Sequence, residues 1–229
     1  MTAPNGIHHI ALCTADIRAQ LDFFNDVLGM KLVGLFWMHG VEGAWHAFMT
    51  LDDQCFVSFV QTPEVSKIER ELGKTHAGHP GGAVSGGAMQ HLALNVDTLD
   101  DLLSLRDRIR SRNVHVFGPM DHGMCHSIYF AGPEDLTLEI TTNGLPMEPE
   151  RWIDPEVVEA AHISPEELKR FCEPTSFEPP ETPIKQPGLD ASQPHMRGYP
   201  EKLYEKMLKT PDEVLTEATR VSEPPVSKA

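Results

Sequence analysis

Two stretches of the chain share one pattern of apolar and polar positions. The segments HIALCTADIRAQLDFFNDVLG, from His9, and HLALNVDTLDDLLSLRDRIR, from His91, each open with a histidine and an alternating apolar strand. In each segment an acidic turn and an amphipathic helix follow, with apolar residues three and four positions apart. Similarity over this length predicts two copies of one supersecondary unit.

Three further strand patterns follow each of these helices. In the first half they are KLVGLFWMH, GAWHAFMTLD and CFVSFVQT, and in the second half VHVFGPM, CHSIYFAG and LTLEITT. Runs rich in β-branched and aromatic residues, bounded by turn residues, are typical of strands. The sequence therefore predicts an α+β fold in which two βαβββ modules, residues 5–61 and 88–143, form an open, mixed β barrel.

The pattern changes between and after the modules. The segment 62–87 is predicted to be an insertion, with a helix at PEVSKIEREL and an exposed flexible loop at HAGHPGGAVSGGA. Residues 1–145 are expected to form one domain. Residues 146–229 hold most of the prolines and predict a partly helical C-terminal extension, with short helices near 164–171 and 210–220.

Net charge and cysteine spacing limit the classes of binding partner and of cysteine site that the sequence predicts. Lys and Arg total 19 against 34 Asp and Glu, a net charge of -15, which repels nucleic acid and anionic membrane surfaces. The four cysteines lack C-x-x-C spacing and follow no secretory leader, so we expect neither a disulfide framework nor a zinc ribbon. We expect a cytoplasmic homo-oligomer, a dimer or higher, that binds a small molecule, with no nucleic-acid or membrane partner.

The repeat distinguishes the two adjacent histidines. His91 is equivalent to His9, and strand alternation places His8 on the opposite face from His9. In LTLEITT, Glu139 lies between apolar neighbours, and a buried acid needs a cation or a hydrogen-bond partner. Ser58 occupies the position of Glu139 in the first module.

Two imidazoles and one carboxylate form the facial triad that suits non-haem Fe(II). We therefore predict His9, His91 and Glu139 as metal ligands, and Fe(II) ahead of Mn, Ni or Zn as the metal. A second carboxylate in place of Ser58 would favour a four-ligand Lewis-acid centre instead.

The segment HHIALCTADIRAQLDFFNDVLGMKLV resembles the opening strand and helix of the vicinal oxygen chelate superfamily, which includes glyoxalases, bleomycin resistance proteins and extradiol dioxygenases. The resemblance covers roughly residues 5–143. It implies paired βαβββ modules around a metal, with the ligand positions falling on His9, His91 and Glu139.

A second segment, HGMCHSIYFAGPEDLTLE, resembles the signature of type I extradiol ring-cleaving dioxygenases, although Gly132 and Asp135 depart from it. The resemblance implies that His122 exchanges protons and that Tyr129 holds a substrate hydroxyl. It also implies a further catalytic histidine, which we assign to His76. His79 and His126 are the alternatives.

The implied activity is Fe(II)-dependent cleavage of a catechol-type diol by O2, as in aromatic hydrocarbon catabolism. Two alternatives stay open: a glyoxalase- or epimerase-like lyase or isomerase using another divalent metal, and a non-enzymatic protein that sequesters an antibiotic. Four aromatic residues of the first module are candidates for the pocket wall: Phe36, Trp37, Trp45 and Phe48.

Overall fold

The computed structural model describes residues 3–190 and 192–226 and contains two compact units. The first unit spans residues 4–173, and the second begins at Pro174. Both βαβββ modules lie in the first unit, together with the opening helices of the predicted C-terminal extension.

The first module has the predicted order of elements. Strand β1 (His9–Cys13) leads into α1 (Ile17–Asp22), which continues as a π-helical turn at Phe23–Val27. Strands β2 (Lys31–Trp37), β3 (Trp45–Thr50) and β4 (Phe56–Gln61) complete a sheet of order β1-β4-β3-β2. β1 runs parallel to β4 and the other pairs are antiparallel. Asp16 starts α1 because its carboxylate accepts the Ala19 amide hydrogen at 3.0 Å.

The second module repeats this plan. It comprises β5 (Leu92–Asn95), α2 (Leu99–Ser111), β6 (Val116–Asp121), β7 (Cys125–Ala131) and β8 (Thr137–Asn143), in the sheet order β5-β8-β7-β6. Thr98 caps α2 through the Asp101 amide. The predicted α+β fold of two βαβββ modules is confirmed. Within the described residues the two sheets stay separate and are not closed into a barrel.

Strand alternation determines which side chains reach the core. In β1, Leu12 is buried and Ile10 half-buried, whereas His9, Ala11 and Cys13 are exposed, as the sequence predicts. The helices cover the apolar side of each sheet and leave the opposite side, here called the site face, for polar residues. Fully buried core side chains come from both modules: Phe24, Met49, Phe59, Leu102, Ile109, Ile128 and Leu138.

The insertion differs from its prediction. Instead of a helix at 63–72, the structure has a 3-10 turn at Val65–Lys67. Ile68 and Leu72 are 68% and 62% exposed, so a helix here would have no apolar face to bury, and tertiary burial is what stabilises short helices. The glycine-rich part is largely exposed, and backbone hydrogen bonds such as Ser85 N to Lys74 O (3.0 Å) hold its turns.

The helices predicted near 164–171 and 210–220 are confirmed as α5 (Pro165–Cys172) and α7 (Asp212–Ala218). Three more were not predicted: α3 (Pro149–Trp152), α4 (Pro155–Ala160) and α6 (Glu201–Lys209). None of these three buries a residue, and α3 and α4, at 4 and 6 residues, are too short to show an apolar period. The α6 sequence does carry one, with apolar residues three and four positions apart at Leu203, Tyr204, Met207 and Leu208. Across residues 3–190 and 192–226, every helix is too short or too polar to cross a membrane.

Polar contacts join the modules at two places. The guanidinium of Arg108 on α2 donates to the carbonyls of Val27 (3.0 Å) and Asp26 (2.8 Å) at the end of the first-module helix. On the other side, the turn before β8 projects Glu134 toward the first module. Its carboxylate accepts hydrogen bonds from Thr14 Oγ1 (2.5 Å) and Ala15 N (2.9 Å).

Glu134 adopts the left-handed conformation, with φ of 57°, and its side chain is 19% exposed. Burial raises the pKa of this carboxyl. Hydrogen bonds from Thr14, Ala15 and Gln20, with the Arg70 charge, outweigh that effect and hold the pKa below its usual value. The contact therefore stabilises the folded state through the ionised carboxylate.

We expect Glu134→Gln to lower the free energy of unfolding by about 1–3 kcal/mol at neutral pH, since it removes charge-assisted hydrogen bonds. Because the folded-state pKa lies below the unfolded one, this stabilisation is complete above the unfolded pKa. It is lost as the pH falls through the folded pKa. Urea unfolding of both proteins should give curves that differ at neutral pH and converge in acid.

Asp135→Asn is the matched control. Asp135 is adjacent, also left-handed, and pairs with Arg70 at 3.4 Å, but its side chain is 52% exposed. An exposed pair contributes less than about 1 kcal/mol. Equal losses in the two variants would contradict the role given to Glu134.

Candidate metal and substrate site

The second sheet places a buried acid beside a histidine. Strand register pairs Glu139 of β8 with Ala93 of β5, so both share the site face, and His91 precedes β5 on the same face. Glu139 is 5% exposed, and its Oε2 lies 2.9 Å from His91 Nε2. A buried carboxylate is costly without a counter-charge, and this imidazole is the nearest group that supplies one.

The contact between His91 and Glu139 shows whether these two side chains could bind a metal ion. An imidazole nitrogen and a carboxylate oxygen both carry lone pairs, so a proton or a cation must lie between them at 2.9 Å. Both groups are ligands that suit Fe(II). The pair therefore fits two positions of a divalent-metal site.

Tyr129 and His122 join this pair. Tyr129 is directly opposite Glu139 in the β7–β8 register, and its ring centroid lies 6.3 Å from that of His91. His122, in the turn between β6 and β7, places Nε2 3.1 Å from the Tyr129 hydroxyl. The structure thus brings together four of the predicted site residues: His91, His122, Tyr129 and Glu139.

The environment of Tyr129 keeps its hydroxyl protonated. Burial raises the pKa of Tyr129, and the negative charge of Glu139 raises it further, whereas a hydrogen bond with Ser127 acts in the opposite direction. Ser127 is fully buried and donates to Thr141 Oγ1 at 3.0 Å. At neutral pH the tyrosine is therefore a neutral hydrogen-bond donor next to an acid.

His9 is placed apart from this group. It lies on the site face of β1, but its Nδ1 is 2.9 Å from His8 Nδ1. The prediction that His8 and His9 point in opposite directions is wrong, because β1 begins at His9 and strand alternation does not extend to His8. In the part of the chain that the structure describes, no three His, Cys, Asp or Glu residues lie together in a geometry that could hold a metal.

His46 is a site-face residue that the sequence did not reveal. Its ring lies 4.4 Å from the Phe48 ring and 6.5 Å from the His9 ring. Its Nε2 is buried with no hydrogen-bond partner. Burial lowers the pKa of His46, and His9 lowers it further, so the imidazole is neutral at neutral pH. Only the register across three strands places it beside His9.

The predicted aromatic wall divides between two faces. Phe36 pairs with His46 and Phe48 pairs with Ser58, so both rings are on the site face, stacked with centroids 5.9 Å apart. Trp37 and Trp45 pair with each other on the opposite face and are exposed. Two of the four candidates can therefore line a pocket on the site face.

Ser58 does not act as a free ligand. It pairs with Ala11 as Glu139 pairs with Ala93, so the two positions are equivalent in the repeat. The Ser58 hydroxyl is fully buried and donates to the Ile10 carbonyl at 3.2 Å. The first module therefore offers no oxygen ligand at this position.

The remaining histidine candidates are separate from the His91–Glu139 pair. His76 lies in a cavity of about 770 Å³ beside Ala11 and Cys13 on the site face of β1. His79 is exposed, and its Nδ1 accepts the Gly81 amide hydrogen at 3.2 Å. His126 faces away from Tyr129 on β7, with its Nδ1 3.8 Å from Asp121 Oδ1.

We expect Tyr129 to ionise above pH 10.0, because both its burial and the Glu139 charge oppose a second negative charge. Near-ultraviolet absorbance titration, taken as the difference between the wild-type protein and Tyr129→Phe, isolates this group. Glu139→Gln should lower the Tyr129 pKa by removing the like charge. An unchanged pKa in that variant would show that the two side chains do not interact.

Comparison with known proteins identifies the family of the chain. The model of the Glyoxalase/Bleomycin resistance protein/Dioxygenase superfamily matches residues 6–140, more than half of the chain. A similar curated protein is biphenyl-2,3-diol 1,2-dioxygenase 2 of Rhodococcus globerulus, 27% identical over 141 residues. That match covers 61% of this chain and 64% of the relative, so the chain spans less than two thirds of that protein's length.

Solved structures give more distant matches. A glyoxylase/bleomycin resistance protein/dioxygenase domain from Frankia sp. EAN1pec has a TM-score of 0.48 and 13% identity, covering 62% of this chain and 99% of that one. The fosfomycin resistance protein FosX of Listeria monocytogenes has a TM-score of 0.42 and 16% identity, covering 62% and 97%. By its family model and its two βαβββ modules, the chain belongs to the glyoxalase/bleomycin resistance protein/dioxygenase superfamily, also called the vicinal oxygen chelate superfamily.

Proposed function

We propose that this protein is an Fe(II)-dependent extradiol dioxygenase that cleaves a catechol-type diol with O2. The observation that carries the proposal is the cluster of His91, Glu139, Tyr129 and His122 on one sheet face. Three of its members, His122, Tyr129 and Glu139, come from the segment that resembles the dioxygenase signature. The match to biphenyl-2,3-diol 1,2-dioxygenase 2 supports the same substrate class.

The metal would be held by His91 and Glu139 from the second module and by His9 from the first. His9 lies on the site face of β1 but apart from this pair, so the two sheets would have to approach each other for His9 to bind the same metal ion. Bound Fe(II) supplies the Lewis acidity and the electron transfer through which a diol and O2 react.

Tyr129 and His122 would handle the substrate oxygens and protons. With its pKa raised, Tyr129 keeps its proton and can donate a hydrogen bond to a substrate oxygen beside Glu139. His122 contacts the Tyr129 hydroxyl through Nε2 and is exposed, so it can exchange protons between that hydroxyl and water. His122 would take up and return the proton that the diol loses, while Tyr129 holds the substrate oxygen through its hydrogen bond.

The first module would supply the apolar side of the pocket. Phe36 and Phe48 stack on the site face, with His46 beside them, and this surface suits a flat aromatic ring. His76 stays a candidate proton-transfer residue, because its cavity runs along the same face of β1.

An exposed apolar patch on the first sheet is the feature that bears on the oligomeric state. Leu35, Trp37 and Trp45 are 53%, 65% and 40% exposed on the outer part of the first sheet. An exposed apolar patch of this kind marks an interaction site more often than plain surface. We therefore expect a homo-oligomer, a dimer or higher.

Protein purified without oxygen and reconstituted with Fe(II) should consume O2 when a catechol is added and should yield a yellow ring-opened product. We expect Tyr129→Phe and His122→Ala to lower kcat about 100-fold or more, with iron content unchanged. Glu139→Ala should abolish iron binding, because the substitution removes the anionic ligand. Oxygen uptake, product absorbance and bound iron are the measurements.

His162→Asn is the control, since His162 is exposed in the turn between α4 and α5 and asparagine tolerates its left-handed backbone. Iron binding without oxygen uptake across a broad catechol panel would rule out the dioxygenase. Activity as a lyase or isomerase with Ni, Zn or Mn would support a glyoxalase- or epimerase-like enzyme. Tight binding of an antibiotic with no metal would support a sequestering protein.

A further inference from the structure

Gln90 connects the glycine-rich segment to His91. Its side-chain Nε2 donates toward three backbone carbonyls of that segment, Pro80 at 2.6 Å, Gly82 at 3.1 Å and His79 at 3.2 Å. Its Oε1 contacts His91 Nδ1. The amide of Gln90 therefore lies between a turn of the insertion and a residue of the candidate metal site.

The three carbonyls determine which way round the amide lies. A carbonyl only accepts hydrogen bonds, so the atom facing all three must be the NH2 group of Gln90 and not its oxygen. The oxygen then faces His91, and because an amide oxygen also only accepts, Nδ1 of His91 must carry a proton. In the metal-free chain Nε2 then shares a second proton with Glu139, and a bound cation would take the place of that proton on the Nε2 lone pair.

We propose that Gln90 is a positioning residue that holds His91 in the Nδ1–H form, with Nε2 aimed at the metal position, and that it ties this choice to the turn at 79–82. The part that concerns metal rests on the proposed function. The tautomer and the turn are properties of the metal-free chain.

The turn presents its carbonyls in a defined shape. The Gly82 amide donates to the His79 carbonyl at 2.9 Å, which closes the turn around Pro80. A Cβ on Gly82 would lie 2.1 Å from the Ala77 carbonyl oxygen, so only glycine fits this close approach. The turn thus fixes the positions of the three carbonyls that accept from Gln90. A change in its conformation would move the Gln90 side chain and, through it, His91.

Two substitutions separate the two halves of this contact. Gln90→Leu removes both the acceptor for His91 and the donors for the turn. Gln90→Glu keeps an acceptor for His91 Nδ1 but places a carboxylate against three carbonyls, so it should loosen only the turn. Gln54→Leu is the matched control, because Gln54 is exposed between β3 and β4.

The first measurement is the imidazole ¹⁵N spectrum of His91 in metal-free protein. We expect a protonated Nδ1 in the wild-type protein, in Gln90→Glu and in Gln54→Leu. In Gln90→Leu we expect Nδ1 to lose its proton, while Nε2 keeps the proton that it shares with Glu139. The second is hydrogen exchange of the amides at 79–88, which should become faster in both Gln90 variants. A merely structural role for Gln90 would change the exchange and leave the tautomer as it is.

The third measurement is Fe(II) affinity, by anaerobic calorimetry. We expect Gln90→Leu to bind Fe(II) about 10- to 100-fold more weakly, as when other partners of ligating histidines are removed, and Gln90→Glu to stay close to wild type. Wild-type tautomer and affinity in Gln90→Leu would overturn the inference. If Gln90→Leu does not fold, a Gln90→Glu protein that loses the Nδ1 proton would overturn it.

The inference and the proposed function fail separately. Wild-type protein that binds no Fe(II) but shows the expected tautomer shift refutes the iron enzyme and supports the role of Gln90. Wild-type protein that binds Fe(II) with an unprotonated His91 Nδ1 supports the iron site and refutes the role of Gln90.

Discussion

The buried carboxylate of Glu139 is the constraint around which the second module is organised. A strand residue that is 5% exposed and charged must be compensated, and His91 Nε2 at 2.9 Å is the group that does so. The same charge raises the pKa of Tyr129 and keeps its hydroxyl protonated. Gln90 in turn determines which nitrogen of His91 faces the acid. The buried carboxylate of Glu139 thus acts on both Tyr129 and His91.

The repeat explains why the two site faces differ in chemistry although they share a geometry. Phe48 pairs with Ser58 in the first sheet as Tyr129 pairs with Glu139 in the second. The positions are equivalent, but the first module fills them with a phenyl ring and a hydroxyl that donates to a backbone carbonyl of the neighbouring strand β1. The second module fills them with a phenol and an acid. Duplication supplies the scaffold, and divergence at these positions separates an apolar half from a polar half.

Sequence pattern predicted the features that depend on local periodicity. Alternation in β1 and the paired segments at His9 and His91 were enough for the modules and for the site face. The helix expected at 63–72 does not form. Its apolar residues have helical spacing, but Ile68 and Leu72 are exposed, so no buried contact stabilises it. His8 was misplaced because the strand begins one residue later. His46 could not be found because its position beside His9 depends on pairing across three strands.

Gln90 shows most clearly what a linear sequence leaves out. Its partners are backbone carbonyls, which every residue has, so no side-chain motif in the sequence predicts these contacts. The glycines of the insertion, which by composition predict a loose loop, also allow the backbone to fold tightly enough to present those carbonyls together, as the close approach at Gly82 requires. A segment can thus act on His91, the proposed metal ligand, through its main chain. In this chain Gln90, the residue before His91, makes that connection, rather than a motif within the segment.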